Sequence, residues 1–149
     1  MFKRILIPTD GSELSARAVK AGIELASTCH ATIHAFHVAE PPPPMIYAGP
    51  VAPVSDADYE EEALQGLRAA AERYLAEVRS AAVAAGVICD VSYAFDRRPY
   101  AAILQTAQER HCDLIVMGSH GRRGLGLLLQ GSETQKVISH GSVPVLIYH

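Results

Sequence analysis

Met117-Gly118-Ser119-His120-Gly121-Arg122-Arg123-Gly124-Leu125-Gly126-Leu127-Leu128-Leu129-Gln130-Gly131-Ser132 decides how this chain is read. It starts at the end of the apolar run Leu114-Ile115-Val116-Met117 and stops where a helical period opens at Ser132. Glycine lets backbone N–H groups approach a ligand with no side chain in the way. The first turn of a helix adds unpaired N–H groups and the positive end of a dipole. Arg122 and Arg123 contribute positive charge and Ser132 a hydroxyl. A strand-to-helix turn of this composition reads as a phosphate cradle, with a plain ligand-free loop as the alternative. Two common phosphate signatures do not fit. No Gly-Lys-Ser/Thr triplet occurs, and the turn after the first strand is Asp10-Gly11-Ser12, not a glycine-rich dinucleotide fingerprint.

Outward from this stretch, apolar runs of strand length alternate with helical periods. Ile5-Leu6-Ile7, bounded by Pro8-Thr9-Asp10-Gly11, predicts a buried strand. Ser12 is placed to cap a helix whose inner face is Leu14, Ala18, Ala21, Gly22 and Leu25. Residues 31–38 predict a second strand. Residues 40–56, with Pro41-Pro42-Pro43-Pro44, Gly49, Pro50 and Pro53, predict one long surface loop of the kind that often serves as a lid or binding loop. A helix over 57–85 follows, stopped by Gly86, then a third strand over 87–93. Pro99 opens a helix. A fourth strand over 114–117, a helix over 132–139 and a last strand over 143–148 complete the chain. This alternation predicts one α/β domain over residues 1–149, a doubly wound parallel sheet with helices on both faces. In such sheets the ligand lies outside the carboxyl ends of the strands. That rim gathers Pro8 to Ser12, Val38 with the proline-rich loop, Tyr93 to Arg98, and Met117 to Ser132.

Composition narrows the function classes. Hydrophobic residues make up 49% and charged residues 19%, an ordinary globular balance. The net charge of −3 argues against a nucleic-acid surface. Cys29, Cys89 and Cys112 are scattered and read as small buried hydrophobes in a reducing compartment. No apolar stretch approaches the roughly 20 residues that span a bilayer. No secretory pattern follows Met1, so a cytoplasmic location without a membrane partner is expected. Of the seven histidines, only His34 and His37 are close, and on a strand they fall on opposite faces. A dedicated metal site is not expected. The acidic run Asp56, Asp58, Glu60, Glu61 and Glu62 reads as a solvated helix start. No G-x-S-x-G elbow and no evident general base occur, so dedicated catalysis is not expected either.

The spacing Gly118-x2-Gly121-x9-Gly131-Ser132 resembles the ATP-binding signature of the universal stress protein family. Ile5-Leu6-Ile7-Pro8-Thr9-Asp10-Gly11-Ser12-Glu13 looks like that family's first strand and turn. Asp113 to Gly121 looks like its fourth strand and loop, and Gly131-Ser132 to Val145-Leu146 like its closing helix and strand. The resemblance runs the length of the chain. It implies a five-stranded parallel sheet in the order 3-2-1-4-5 and a homodimer paired through the last strand, residues 143–148. It implies ATP, with Mg2+, as ligand of a stress-response regulator or switch that acts on a regulatory protein partner. By that resemblance Pro8, Thr9 and Asp10 lie by the ribose and adenine, and the Val38 backbone meets the adenine edge. Met117 and Gly118 border the ribose, and Gly121, Arg122, Gly131 and Ser132 hold the phosphates. His120 and Arg123 lie in the same loop, within reach of phosphate.

Glu133 departs from the family pattern, where a small or apolar residue is common. A carboxylate in the first helical turn suits the dipole but repels phosphate. Turned outward it only supports its helix; turned inward it weakens ATP or recruits a divalent cation. Ser132-x-x-Gln135 also forms a capping box. Two other readings stand beside the binding module. One is a slow ATPase or self-phosphorylating protein with Ser119, Ser132 or Thr134 as acceptor. The other is a nucleotide-free dimeric scaffold in which Glu133 closes the site.

Overall fold

Apolar runs too short for helices and too continuous for a half-exposed sheet require a sheet covered on both faces. A computed structural model, which describes residues 1–43, 56–119 and 132–149 (backbone alone at 56–58 and 132), has that arrangement. In chain order come β1 (Arg4–Pro8), α1 (Glu13–Cys29), β2 (Thr32–Ala39), α2 (Asp56–Ala84), β3 (Cys89–Phe95), α3 (Pro99–Glu109), β4 (Leu114–Gly118), α4 (Ser132–His140) and β5 (Val145–Tyr148). All strand pairs are parallel and the order is β3-β2-β1-β4-β5, as the resemblance implied. Most of the long proline-rich loop, residues 44–55, lies outside the described residues.

The core has two halves, one on each face. Ile5 and Ile7 of β1 pack with Ile33, Ala35 and Val116 against Val19 and Ile23 of α1 and Leu75 and Val78 of α2. Leu6 packs with Phe36, Ile115 and Met117 against Ile103 of α3 and Val137 of α4. Helix α1 approaches the sheet closely at Gly22, where an added Cβ would lie 2.6 Å from Ile7 Cδ1. No helix among the described residues is long and apolar enough to cross a membrane.

Three helices end in the same way. Residues His30, Gly86 and His111 all take left-handed backbone angles, with φ of 54°, 71° and 52°. After α1, α2 and α3 respectively, the N–H of Ala31 bonds Ala26 O, that of Val87 bonds Ala82 O, and that of Cys112 bonds Ala107 O. These are Schellman closures, in which the residue after the left-handed one still belongs to the helix end. That explains the two strand starts read too early from hydropathy. Ala31 and Val87 are apolar and buried because they close helices, so β2 begins at Thr32 and β3 at Cys89. The last strand starts at Val145, with Pro144 supplying only its carbonyl, to Ile115 N at 2.9 Å.

His34 is a polar residue inside the α3-side core, 1% exposed, with Nε2 2.8 Å from Ser92 Oγ. Burial first, and then the nearby Arg110 and Arg4 charges, push its imidazole down from about 6.5 to about 4. Above pH 6.5 neither folded nor unfolded chain protonates this ring. Below it the unfolded chain takes up a proton that the folded chain refuses, until pH falls to about 4. Stability is therefore lost between those limits, by about 2–3 kcal/mol from this group. Urea unfolding at pH 7 and pH 4.5 should show a smaller drop in His34→Gln than in the unsubstituted protein.

Candidate functional site

Strand β1 is the middle of the sheet, and the chain leaves it toward β2 on one side and returns through β4 on the other. A crevice opens at the carboxyl ends where the connections diverge. Pro8, Thr9, Asp10, Val38, Met117 and Gly118 all lie at this rim.

The turn from β1 into α1 is held by its own side chains. Asp10 Oδ1 accepts the Ser12 N–H at 3.0 Å, and Ser12 Oγ accepts the Ser15 N–H at 3.2 Å as the α1 cap. Ser15 Oγ donates to Thr9 Oγ1 at 2.8 Å and accepts the Asp10 N–H at 3.3 Å. Short polar side chains that bond the backbone a few residues away stabilise tight turns in this way. Gly11, at φ +74°, carries the reversal, and a Cβ on it would stand 2.3 Å from Tyr74 Cε1. The Tyr74 ring of α2 thus covers the turn, with the His37 ring edge-on to it at 5.3 Å.

His37 also ends the β1–β2 ladder. Even-numbered residues of β2 turn their backbone groups toward β1: Thr32 N bonds Lys3 O at 2.9 Å, and Phe36 O accepts Thr9 N at 2.8 Å. One residue further, the Thr9 carbonyl would accept the Val38 N–H in a continued parallel ladder. It accepts His37 Nδ1 instead, at 2.7 Å, and the register stops at Pro8 opposite Phe36. A carbonyl only accepts, so Nδ1 carries the hydrogen. The Val38 N–H and C=O consequently point past the end of β1 into the rim.

On the other side of the crevice, Thr134 of α4 donates its hydroxyl to Gly118 O at 3.1 Å, and Ser119 N bonds Tyr148 O at 2.8 Å. Glu133 is turned toward α3. Its Oε2 accepts the Tyr100 N–H at 2.9 Å and its Oε1 pairs with Lys136 Nζ at 2.8 Å. The hydrogen bond from Lys136 to Glu133, and then that carboxylate's charge, raise the Lys136 pKa, so the ammonium stays charged.

Of the residues read from sequence, six meet at the rim, and Glu133 sits at the adjoining helix start. His120, Gly121, Arg122, Arg123 and Gly131 lie outside the described residues, as does the Ser132 side chain. Ser15, His37 and Tyr74 were not singled out as rim residues, and Thr134 was read only as a conceivable phosphate acceptor. Ser15 had a local signal, three residues after the Ser12 cap, but His37 and Tyr74 act through contacts between elements far apart in the chain. Among the described residues no group of three or more His, Cys, Asp or Glu could hold a metal ion.

A family model for the universal stress protein family matches residues 1–149. A universal stress protein of Thermus aquaticus is 36% identical over 147 residues, which cover 99% of this chain and 98% of that one. Among solved structures, the Methanocaldococcus jannaschii protein MJ0577 aligns with a TM-score of 0.82 at 26% identity, over 99% of this chain and 96% of that one. A universal stress protein solved in complex with cAMP aligns with a TM-score of 0.67 at 23% identity, over 99% and 97% of the two chains.

The covered turn gives a stability test. Gly11→Ala combines an unfavourable φ with a clash against Tyr74 and should destabilise by about 2–4 kcal/mol in urea unfolding. In a Tyr74→Ala background the clash is gone and only the backbone strain remains, so the same change should cost about 1 kcal/mol.

Proposed function

The chain belongs to the universal stress protein family, and from that premise we propose that it is a stress-response regulator that binds ATP with Mg2+ at the carboxyl rim. The observation that carries this reading is the ladder end at His37. It leaves the Val38 backbone groups facing a crevice walled by Thr9-Asp10 on one side and Met117-Gly118 on the other. A backbone N–H and C=O side by side are the donor and acceptor that an adenine edge needs. The complex of a family member with cAMP supports an adenine nucleotide as the ligand class.

In this reading Pro8, Thr9 and Asp10 lie by the base and ribose and Met117 and Gly118 border the ribose. Residues His120, Gly121, Arg122, Arg123, Gly131 and Ser132 take the phosphates. Mg2+ would ride on the phosphates, the usual mode for a cation that keeps most of its water and needs few protein ligands. The nucleotide acts as a switch through its different affinity for two states of the chain, read by a regulatory protein partner. The chain works in the cytoplasm as a homodimer, without nucleic acid or membrane, in which residues 143–148 pair with those of a second copy. Leu146 and Tyr148 on β5 are 39% and 37% exposed, apolar surface that such pairing would cover.

The enzymatic reading is less well supported. An acceptor hydroxyl must reach the terminal phosphate, but Ser119 and Thr134 are 1% and 2% exposed and the Thr134 hydroxyl is bonded to Gly118 O. The nucleotide-free scaffold needs Glu133 in the crevice, and its carboxylate is engaged on α3.

Titration calorimetry with ATP, ADP and AMP in Mg2+ should give saturable heat. The melting temperature should rise with nucleotide, since a ligand at about 100 times its Kd adds roughly 2.7 kcal/mol to the folded state. No heat and no shift at millimolar ATP would sink the proposal.

A further inference from the structure

We infer that Glu133 is a positioning residue: bound to the Tyr100 amide and Lys136, its carboxylate fastens the amino end of α4 to that of α3 and keeps its charge from opposing the phosphates. This rests on the nucleotide reading above.

A carboxylate in a first helical turn ordinarily serves the dipole and free N–H groups of its own helix. At α4 those are the groups a phosphate would use. Glu133 does otherwise. One oxygen accepts the N–H of Tyr100, the second residue of α3, at 2.9 Å, and the other pairs with Lys136 at 2.8 Å. Helix α3 has a place for it, because its own N-cap, Arg98, makes no side-chain cap bond. The carboxylate of α4 therefore caps α3, the helix before it.

The neighbouring side chains keep it there. Lys136 Nζ lies over the Tyr100 ring at 5.5 Å, and the His140 ring approaches that ring at 5.3 Å. The next residue, Thr134, holds β4 through Gly118 O. Two consecutive residues thus pin the first turn of α4, one to a helix and one to a strand. The start of α4 cannot rotate without breaking both bonds. The same arrangement gives the Glu133 charge a counter-ion, so the repulsion expected between it and a phosphate is reduced at the source.

The test uses the full chain and three variants, with ATP and AMP as probes. Glu133→Ala loses the tether and should weaken ATP about tenfold, the worth of one charge-assisted bond, while AMP weakens about twofold or less. Glu133→Gln keeps an acceptor for the Tyr100 N–H and should restore ATP binding to within about twofold of the parent. Lys136→Met exposes the carboxylate charge and should weaken ATP about threefold to fivefold, more than AMP. Hydrogen exchange at the Tyr100 amide should quicken in Glu133→Ala and not in Glu133→Gln. Unchanged or tighter ATP binding by Glu133→Ala overturns the inference. So does equal loss of ATP and AMP, or a Gln variant as weak as Ala. If the unsubstituted chain binds neither nucleotide, the nucleotide reading falls and the phosphate role of Glu133 with it. The Tyr100 exchange rates still report whether the tether between the helices forms.

Discussion

Parallel strands cannot be joined by tight turns; each must be followed by a crossover that carries the chain back over a face of the sheet. The whole molecule follows from that constraint. It sends α1 and α2 over one face and α3 and α4 over the other, which buries Ile5, Leu6 and Ile7 of β1 completely and makes that run apolar. It also brings the end of every strand, and the start of every helix that follows one, to the same rim. The rim is thus a consequence of connectivity before any residue in it is chosen. The side chains decide what the rim can do.

Their main effect is to stop the ladder at the right place. Pro8 has no N–H, Thr9 gives its N–H to Phe36, and its carbonyl is occupied by His37. With β1 closed off in three residues, the backbone of β2 runs on beyond it and turns the Val38 N–H and C=O toward the crevice. The turn that follows must then be tight, and it is. Gly11 reverses under the Tyr74 ring, while Asp10, Ser12 and Ser15 take up the local N–H groups. Rigidity at the rim comes from short-range bonds within the turn and from one aromatic cover supplied by a distant helix.

This division also explains what the sequence could tell. The alternation of strands and helices and the cap at Ser12 were legible because hydropathy and capping are local patterns, whereas the strand order came only with the family resemblance. The buried face of α1 lies one residue on from the one read, at Ser15, Val19, Ile23 and Ala26 beside Ala18 and Gly22. The Asp10-Gly11-Ser12 turn was legible for the same reason. Ala31 and Val87 misled because a buried apolar residue looks alike in a strand and in a Schellman closure, and only the left-handed residue before it distinguishes them. Gly86 gave that warning in the sequence. His30 did not, since a left-handed histidine has no pattern of its own. Tyr74 and His37 could not be assigned to the rim because their contacts with Gly11 and Thr9 join elements far apart in the chain. The direction of Glu133 was undecidable from sequence, because both a helix dipole and a phosphate repulsion act at that position. What decides it is the uncapped start of α3, which is a property of the assembled fold.

The two ends of the sheet are polarised in opposite senses. The helices direct their amino ends to the carboxyl rim, which favours anions there, and their carboxyl ends to the opposite rim. The amino rim is sealed by the protein's own charges. Asp113 accepts the N–H groups of Lys3 and Arg4 at 2.8 and 3.0 Å, and Arg4 pairs with Asp90. At the carboxyl rim the starts of α1 and α3 are likewise satisfied internally, by Ser12 and by Glu133. In helix α4 the first-turn carboxylate serves α3, so its charge is drawn away from the helix start at which a phosphate would be held under the nucleotide reading.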